Sequence, residues 1–234
     1  AVLADLRLTM PRGTRTLPDT VPLFPLPGAV LLPRTRLPLH IFEPRYLQMM
    51  EDVLRSGDRL IGMIQPIGEG LAAVGTAGRV AMFSEDDDGR MMISLRAVSR
   101  FRLVEALDGF TPYLRGKVDW AGYGADRRGA VPDDPEFDRP AFMERLGRYM
   151  AARDLSTDWN AAEEAGDELL VNSLSMLLPL GVEEKQALLE AATLPERRAI
   201  LDGLMEYALH GGDGPLGVSD LRHVNPLTHA FVQA

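Results

Sequence analysis

From residue 22 the apolar positions of "PLFPLPGAVLLPRTRLPLHIFEPRY" are interrupted at short intervals by proline, with six of the chain's 17 prolines in this stretch. Each proline removes a backbone donor and turns the residue before it away from helical geometry, so the stretch is extended. Pro25 and Pro27 stiffen its start and Pro27-Gly28 reads as a turn. "AVLLP" follows as a short buried strand and "LPLHIF" as a second strand, where Pro38 is tolerated at an edge or bulge. The spacing then becomes helical. Tyr46, Met49, Met50, Val53 and Leu54 fall on one face, Pro44 stands at the first helical position, and Gly57 follows the last turn. Glu43 is expected to satisfy free backbone donors at that helix start, and Arg45 to tie it to the sheet.

Period-2 patterns dominate to about residue 120. "RLIGMIQPI" and "AAVGTAGRVAMFSED" read as strands with glycine-marked bends, and "EDDDGRMMISLRAVSRFRLVEAL" as a long hairpin arm after a turn at Asp88-Gly89. Strict alternation puts Met91, Ile93, Leu95, Ala97, Ser99, Phe101 and Leu103 on one face, with Met92, Arg96, Arg100 and Arg102 on the other. "PYLRGKVDW" is a further strand. Residues 121–138 are rich in Gly, Pro and charge and read as a linker. Beyond them the spacing is helical: a helix opening at Pro140 with Phe142, Leu146 and Met150 inward, then "AGDELLVNSLSMLL", then "VEEKQALLEAA". A last helix is started by a Thr193/Glu196 capping box and ended at Gly211-Gly212. The expected organisation is a leader over 1–19, a β-rich part over 20–120, the linker, a helical part over 139–210 and a loosely docked tail over 211–234. Met10 is an alternative start, which would make residues 1–9 a leader.

Composition narrows the chemistry. The chain has no cysteine, which excludes disulfides, thiol catalysis and cysteine-ligated zinc. Its apolar runs fall short of the roughly 20 residues of a membrane span, so a soluble, cytoplasmic protein with no membrane partner is expected. The net charge of -9 is uneven: residues 1–45 carry six arginines against three acids, leaving -12 for the rest. That balance argues against a nucleic-acid partner. No G-x-x-x-x-G-K-[ST] or G-x-S-x-G motif occurs, and the two lysines, Lys117 and Lys185, read as solvated charges. His210, His223 and His229 lack metal-site spacing. "SEDDDG" would need a carboxylate where Leu95 stands, so it reads as a hairpin turn. No catalytic residue, metal or cofactor is expected.

Two features suit a binding surface. The arginine stripe reads either as a solvated sheet face or as a contact for an anion or acidic peptide. Methionine is an adaptable apolar filler, and the set Met49, Met50, Met63, Met82, Met91 and Met92 reads mostly as core, with one or two members reaching a groove. The expected peptide-binding candidates are Met92, Arg96, Arg100 and Arg102, with Pro25, Pro27, Gly28, Pro38, Glu43, Pro44 and Arg45 as scaffold.

The block from "FPLPG" to "IFEPRY", followed in order by "VGTAGRVAMF", "GRMMISLRAVSRFRLVE", "PYLRGKVDW" and "ELLVNSLSMLLPLGVEEKQALLEAATLPERRAILDGLMEYAL", resembles the Lon protease N-terminal, substrate-binding domain over about residues 20–209. The resemblance implies an α+β fold, a PUA-like twisted β pseudo-barrel wrapped around a short helix and followed by an all-helical bundle, with kinship in the barrel to cereblon. It implies recognition of proteins or peptides and supplies no catalytic residue. The nucleotide-driven motor and peptidase of full-length Lon have no counterpart in these residues, so a stand-alone recognition module is expected, without ATP-driven unfolding. The expected partners are unfolded or degron-bearing polypeptides and a protease to receive them. An RNA-binding PUA-like module and a small hydrolase are the competing readings.

Overall fold

A computed structural model of the chain describes residues 16–211. The expectations for residues 1–15, including Met10, and for 212–234, including His223 and His229, lie outside the described residues.

The strands β1 (Thr20–Pro25), β2 (Arg36–Ile41), β3 (Leu60–Ile64), β6 (Val74–Glu85), β7 (Met91–Leu107) and β8 (Arg115–Asp119) form one sheet in the order β2-β7-β6-β3-β1-β8. A minor hairpin, β4 (Pro66–Ile67) and β5 (Gly70–Leu71), stands apart. β7 also pairs with β8, which closes a ring, and β1 lies parallel to β3 while the other pairs are antiparallel. β7 is long enough to serve two partners, β2 along Met91–Arg96 and β8 along Arg102–Leu107. Inside the ring Val21, Leu23, Ala77, Phe101 and Val118 form one core cluster. Glycines make room for it: a Cβ on Gly116 would lie 2.8 Å from Leu23 and Leu103.

The other face of β2, β3 and β7 is covered by α1 (Pro44–Arg55). Its buried Tyr46, Met49, Met50 and Val53 meet Leu39, Ile41, Ile61, Met63, Ile93 and Leu95. Each such side chain contributes about 1.5–3 kcal/mol on burial. Pro44 opens α1 as expected, but the Glu43 side chain makes no capping bond. It accepts from Arg45 Nε at 3.1 Å, and Arg45 lies over the Tyr46 ring at 4.7 Å and not against the sheet. Both charges are half-exposed, and a solvated ion pair at i, i+2 competes with the cap.

"AVLLP" is not a strand. Val30, Leu31 and Leu32 are 3 % exposed or less, yet the backbone pairs with no strand, because the prolines at 27 and 33 bound it on both sides. Leu32 O accepts from the Thr35 hydroxyl and N–H, Ala29 N–H donates to Leu26 O, and Pro33 O accepts from Asn172 Nδ2 of the helical part. That part comprises α2 (Arg139–Ala152), α3 (Trp159–Glu164), α4 (Asp167–Leu177), α5 (Val182–Glu190) and α6 (Leu194–Leu209); α3 has too few apolar positions to be seen as a periodic stripe. These helices share a core built on Phe142, Leu146, Tyr149, Val171, Leu188 and Leu201. Thr193 caps α6 by accepting from Glu196 N–H. Residues 121–138 are more than a spacer: they hold a 3-10 turn, Gly124–Arg127, whose Asp126 is buried.

The seam between sheet and helices is polar and closed. Lys185 Nζ donates to Gly28 O at 3.0 Å and Met176 O at 2.7 Å. Asn172 Nδ2 donates to Pro33 O, and Arg197 Nη1 donates to Asn172 Oδ1. Gln65 accepts from Gly28 N–H and donates to Val182 O and Gln186 Oε1. Arg34, at φ 60°, pairs with Glu168 and donates to Asp126 O. Lys185 is thus a buried strut and no solvated charge, and burial pulls its pKa below the usual lysine range. Burial likewise pushes Arg197 down to about 9, which leaves it cationic at neutral pH.

Candidate functional site

The exposed surface with the clearest chemical character is the outer face of β2, β7 and β6. The registers set three rows across these strands: Arg36, Arg96 and Arg79; then Pro38, Ser94 and Met82; then His40, Met92 and Ser84. Met82 is 67 % and Met92 50 % exposed, and Phe42, 61 % exposed, continues the strip by an edge-on contact with His40. Neither Arg36 nor Arg96 has an ion-pair partner among the described residues, and like charges directly opposite one another on neighbouring strands repel. At the far end the hairpin tip carries Glu85, Asp86, Asp87 and Asp88, with Asp86 Oδ1 accepting from the N–H groups of Asp88 and Arg90. The face therefore runs from cationic through apolar to anionic. At about 3.3 Å per residue the rows of Arg96 and Met92 stand about 13 Å apart, the reach of four extended peptide residues.

Strict alternation along β7 misplaces two of the three arginines of the stripe. Ala77 opposes Ser99 but Gly78 opposes Ala97, so Val98 is an extra, bulged residue. Directly opposed residues share a face, and beyond the bulge Arg100 and Arg102 belong to the side of Leu95, away from Arg96 and Met92. Arg100 is only 5 % exposed. Its Nε and Nη2 donate to Asp126 at 2.9 Å, its Nη1 donates to Leu189 O and Ala191 O, and it lies 5.0 Å from the Tyr123 ring centre. Four of its five side-chain N–H donors are filled within the fold, so Arg100 is a strut and leaves the candidate surface. Arg102 is exposed beside Asp119 and Val74. Of the methionine set, Met49, Met50 and Met63 are core, Met91 is half-buried, and Met82 and Met92 are exposed.

The proline block contributes more than scaffold geometry. A cleft of ≈ 270 Å³ beside the strip is lined by Phe24, Pro25, Pro27, His40, Phe42 and Tyr46, with Glu43 and Arg45 at its polar side. Phe24 and Tyr46 stack at 4.2 Å. Pro38 is exposed on the edge strand β2, and Gly28, at φ 75°, forms the turn tied to Gln65 and Lys185. His40 and Phe42 belong to both cleft and strip, so the two are continuous. Apart from Met82, already in the methionine set, the residues that sequence reasoning missed here are Arg36, His40 and Phe42; the alternation within "RLPLHIF" was the available signal.

A second cleft, ≈ 350 Å³, lies between α1 and β8 and includes Asp52, Asp58, Tyr113 and Arg115. Tyr113 OH donates to Asp52 Oδ2 at 2.6 Å; burial first, and that hydrogen bond next, pushes its pKa up to about 12. Lys117 is exposed on β8, and His210 closes α6 with its ring against Glu206 O. Among the described residues no group of three or more His, Asp or Glu side chains could hold a metal ion, and no helix is long and apolar enough to cross a membrane.

Comparison with known proteins agrees with this architecture. The solved Lon N-terminal domain protein of Xanthomonas campestris is 28 % identical over 80 % of this chain and 98 % of its own, with a TM-score of 0.53. The N-terminal domain of Mycobacterium avium complex Lon protease, at 14 % identity and a TM-score of 0.56, shares the fold. Lon protease 2 of Syntrophobacter fumaroxidans is 29 % identical over 82 % of this chain, and Lon protease of Desulfosudis oleivorans 33 % identical over 38 %. These matches span 24 % and 12 % of those two relatives' lengths. The family described as the ATP-dependent protease La (LON) substrate-binding domain matches residues 20–206. The chain belongs to the LON substrate-binding domain family.

Proposed function

We propose that this chain binds unfolded or degron-bearing polypeptides along the outer face of β2, β7 and β6 and presents them to a protease. The observation that supports this reading is one sheet with unequal faces: one side is packed on α1, while the side turned away from α1 leaves Met82, Met92 and Phe42 exposed. Unbranched thioether side chains adapt to many partner shapes, which suits a surface that must accept varied sequences. Arg36 and Arg96 repel each other, and a carboxylate arriving between them relieves that repulsion. The preferred segment is therefore extended and apolar with an acidic residue at one end. The acidic hairpin tip favours a basic residue at the other. Phe42 and the cleft behind it take one large apolar side chain of the segment.

The test is calorimetry with a panel of permanently unfolded proteins, and micromolar affinity is expected. Burying the exposed half of each methionine contributes about 1 kcal/mol, so Met82→Ser with Met92→Ser should weaken binding about 30-fold. Arg96→Glu should weaken acid-flanked peptides and spare uncharged ones. No binding to any member of the panel, or equal binding by the methionine variant, refutes the proposal.

A further inference from the structure

Among the described residues, the binding face also holds the most exposed methionines. There is no cysteine among the 234 residues, so thioethers are the side chains most open to two-electron oxidation. Among the described methionines, Met49, Met50 and Met205 are 0 % exposed, Met63 2 % and Met150 5 %, Met91 and Met143 are partly buried, and Met82 and Met92 are 67 % and 50 % exposed. Met176 is partly buried, with its sulfur 3.1 Å from Thr35 Oγ1. The two open sulfurs stand in adjacent rows of neighbouring strands, at the centre of the apolar segment of the face.

We propose that Met82 and Met92 are a reversible oxidation site that switches polypeptide binding off. The proposal rests on the binding face described above. The oxidant is a peroxide: a sulfur lone pair attacks one peroxide oxygen, the S–O bond forms as the O–O bond breaks, and the departing hydroxide takes the proton carried by the transferred oxygen and leaves as water, so that the sulfoxide remains. Sulfur loses two electrons and peroxide gains them. The sulfoxide is polar and chiral, so an apolar segment docking on it must desolvate two S=O groups without a donor to meet them. Neither side chain supports the core, so the folded scaffold persists through the change. A thiol-dependent methionine sulfoxide reductase restores the thioethers and with them the face.

The experiment treats the full chain with hydrogen peroxide and maps the sites by peptide mass spectrometry, then measures affinity for reduced, carboxymethylated α-lactalbumin. One added oxygen is expected at Met82 and Met92 before Met49, Met50, Met63 and Met205. Affinity should fall at least tenfold with an unchanged circular dichroism spectrum, and return after reductase treatment. The double variant Met82→Leu, Met92→Leu, compared with its own untreated sample, should show the same affinity before and after peroxide. Unchanged affinity in the oxidised parent, or the same loss in the leucine variant, overturns the switch and leaves the binding face standing. An untreated parent that does not bind overturns both.

Discussion

Replacing Asp126 by alanine separates a strut from a binding residue. In the native chain its carboxylate accepts three hydrogen bonds from Arg100, from the backbone N–H, Nε and Nη2. The two side chains are 6 % and 2 % exposed, so solvent cannot replace what is removed. Breaking such a pair by deleting one partner costs about 3–5 kcal/mol, because the other charge stays buried and unpaired. The low end applies here, since Arg100 Nη1 keeps Leu189 O and Ala191 O. For a chain of this size about 3 kcal/mol corresponds to a fall of roughly 6–12 °C in Tm. Urea unfolding followed by circular dichroism measures it, with an unchanged m-value expected. Arg100→Met should cost a similar amount, and the double variant Arg100→Met, Asp126→Leu should fall short of the sum by more than about 1 kcal/mol, since no stranded charge remains. A loss below about 1 kcal/mol for Asp126→Ala would refute the reasoning. So would Arg100→Met weakening polypeptide binding at unchanged stability.

Two further outcomes follow from the packing and the titration. Gly75→Ala would place a Cβ 2.4 Å from Met63 O and 2.7 Å from the Phe101 ring, so urea unfolding should show a loss of about 3 kcal/mol or more, while Gly70→Ala, with nothing within 4 Å, should stay within about 0.5 kcal/mol. Tyr113 has its folded-state pKa raised to about 12 against an ordinary value of 10.0, so its contribution is fully present below pH 10 and lost between 10 and 12. The urea-midpoint difference between the parent and Tyr113→Phe should shrink across that window, and a difference independent of pH would count against the assignment.

What could be read in the chain beforehand divides along a physical line. Helix α1 was legible because Pro44, the inward Tyr46, Met49, Met50 and Val53, and Gly57 are all local signals. The hairpin at Asp86–Gly89 was legible for the same reason. Met92 and Arg96 were correctly set on one face because alternation holds from Met91 to Arg96. Arg100 was misread because its odd-numbered neighbours Ser99 and Phe101 are buried as alternation demands, but Phe101 lies in a different core from Leu95. A pattern of burial alone cannot show that the strand has changed faces.

The sequence by itself determined the extended proline block, the helix it leads into, the strands and most of the helices, since these answer to backbone constraint and to periods of 2 and 3.6 residues. Tertiary structure alone decided where the ring closes, the bulge at Val98 and the route of "AVLLP" through a buried polar seam. It also decided that Lys185 and Arg100 are struts while Met82, Met92 and Phe42 stay open. Those outcomes depend on partners far away in the chain: Gly28 with Lys185, Arg100 with Asp126, and Arg36 with Arg96. No local period encodes which distant group will satisfy a donor or cover a face.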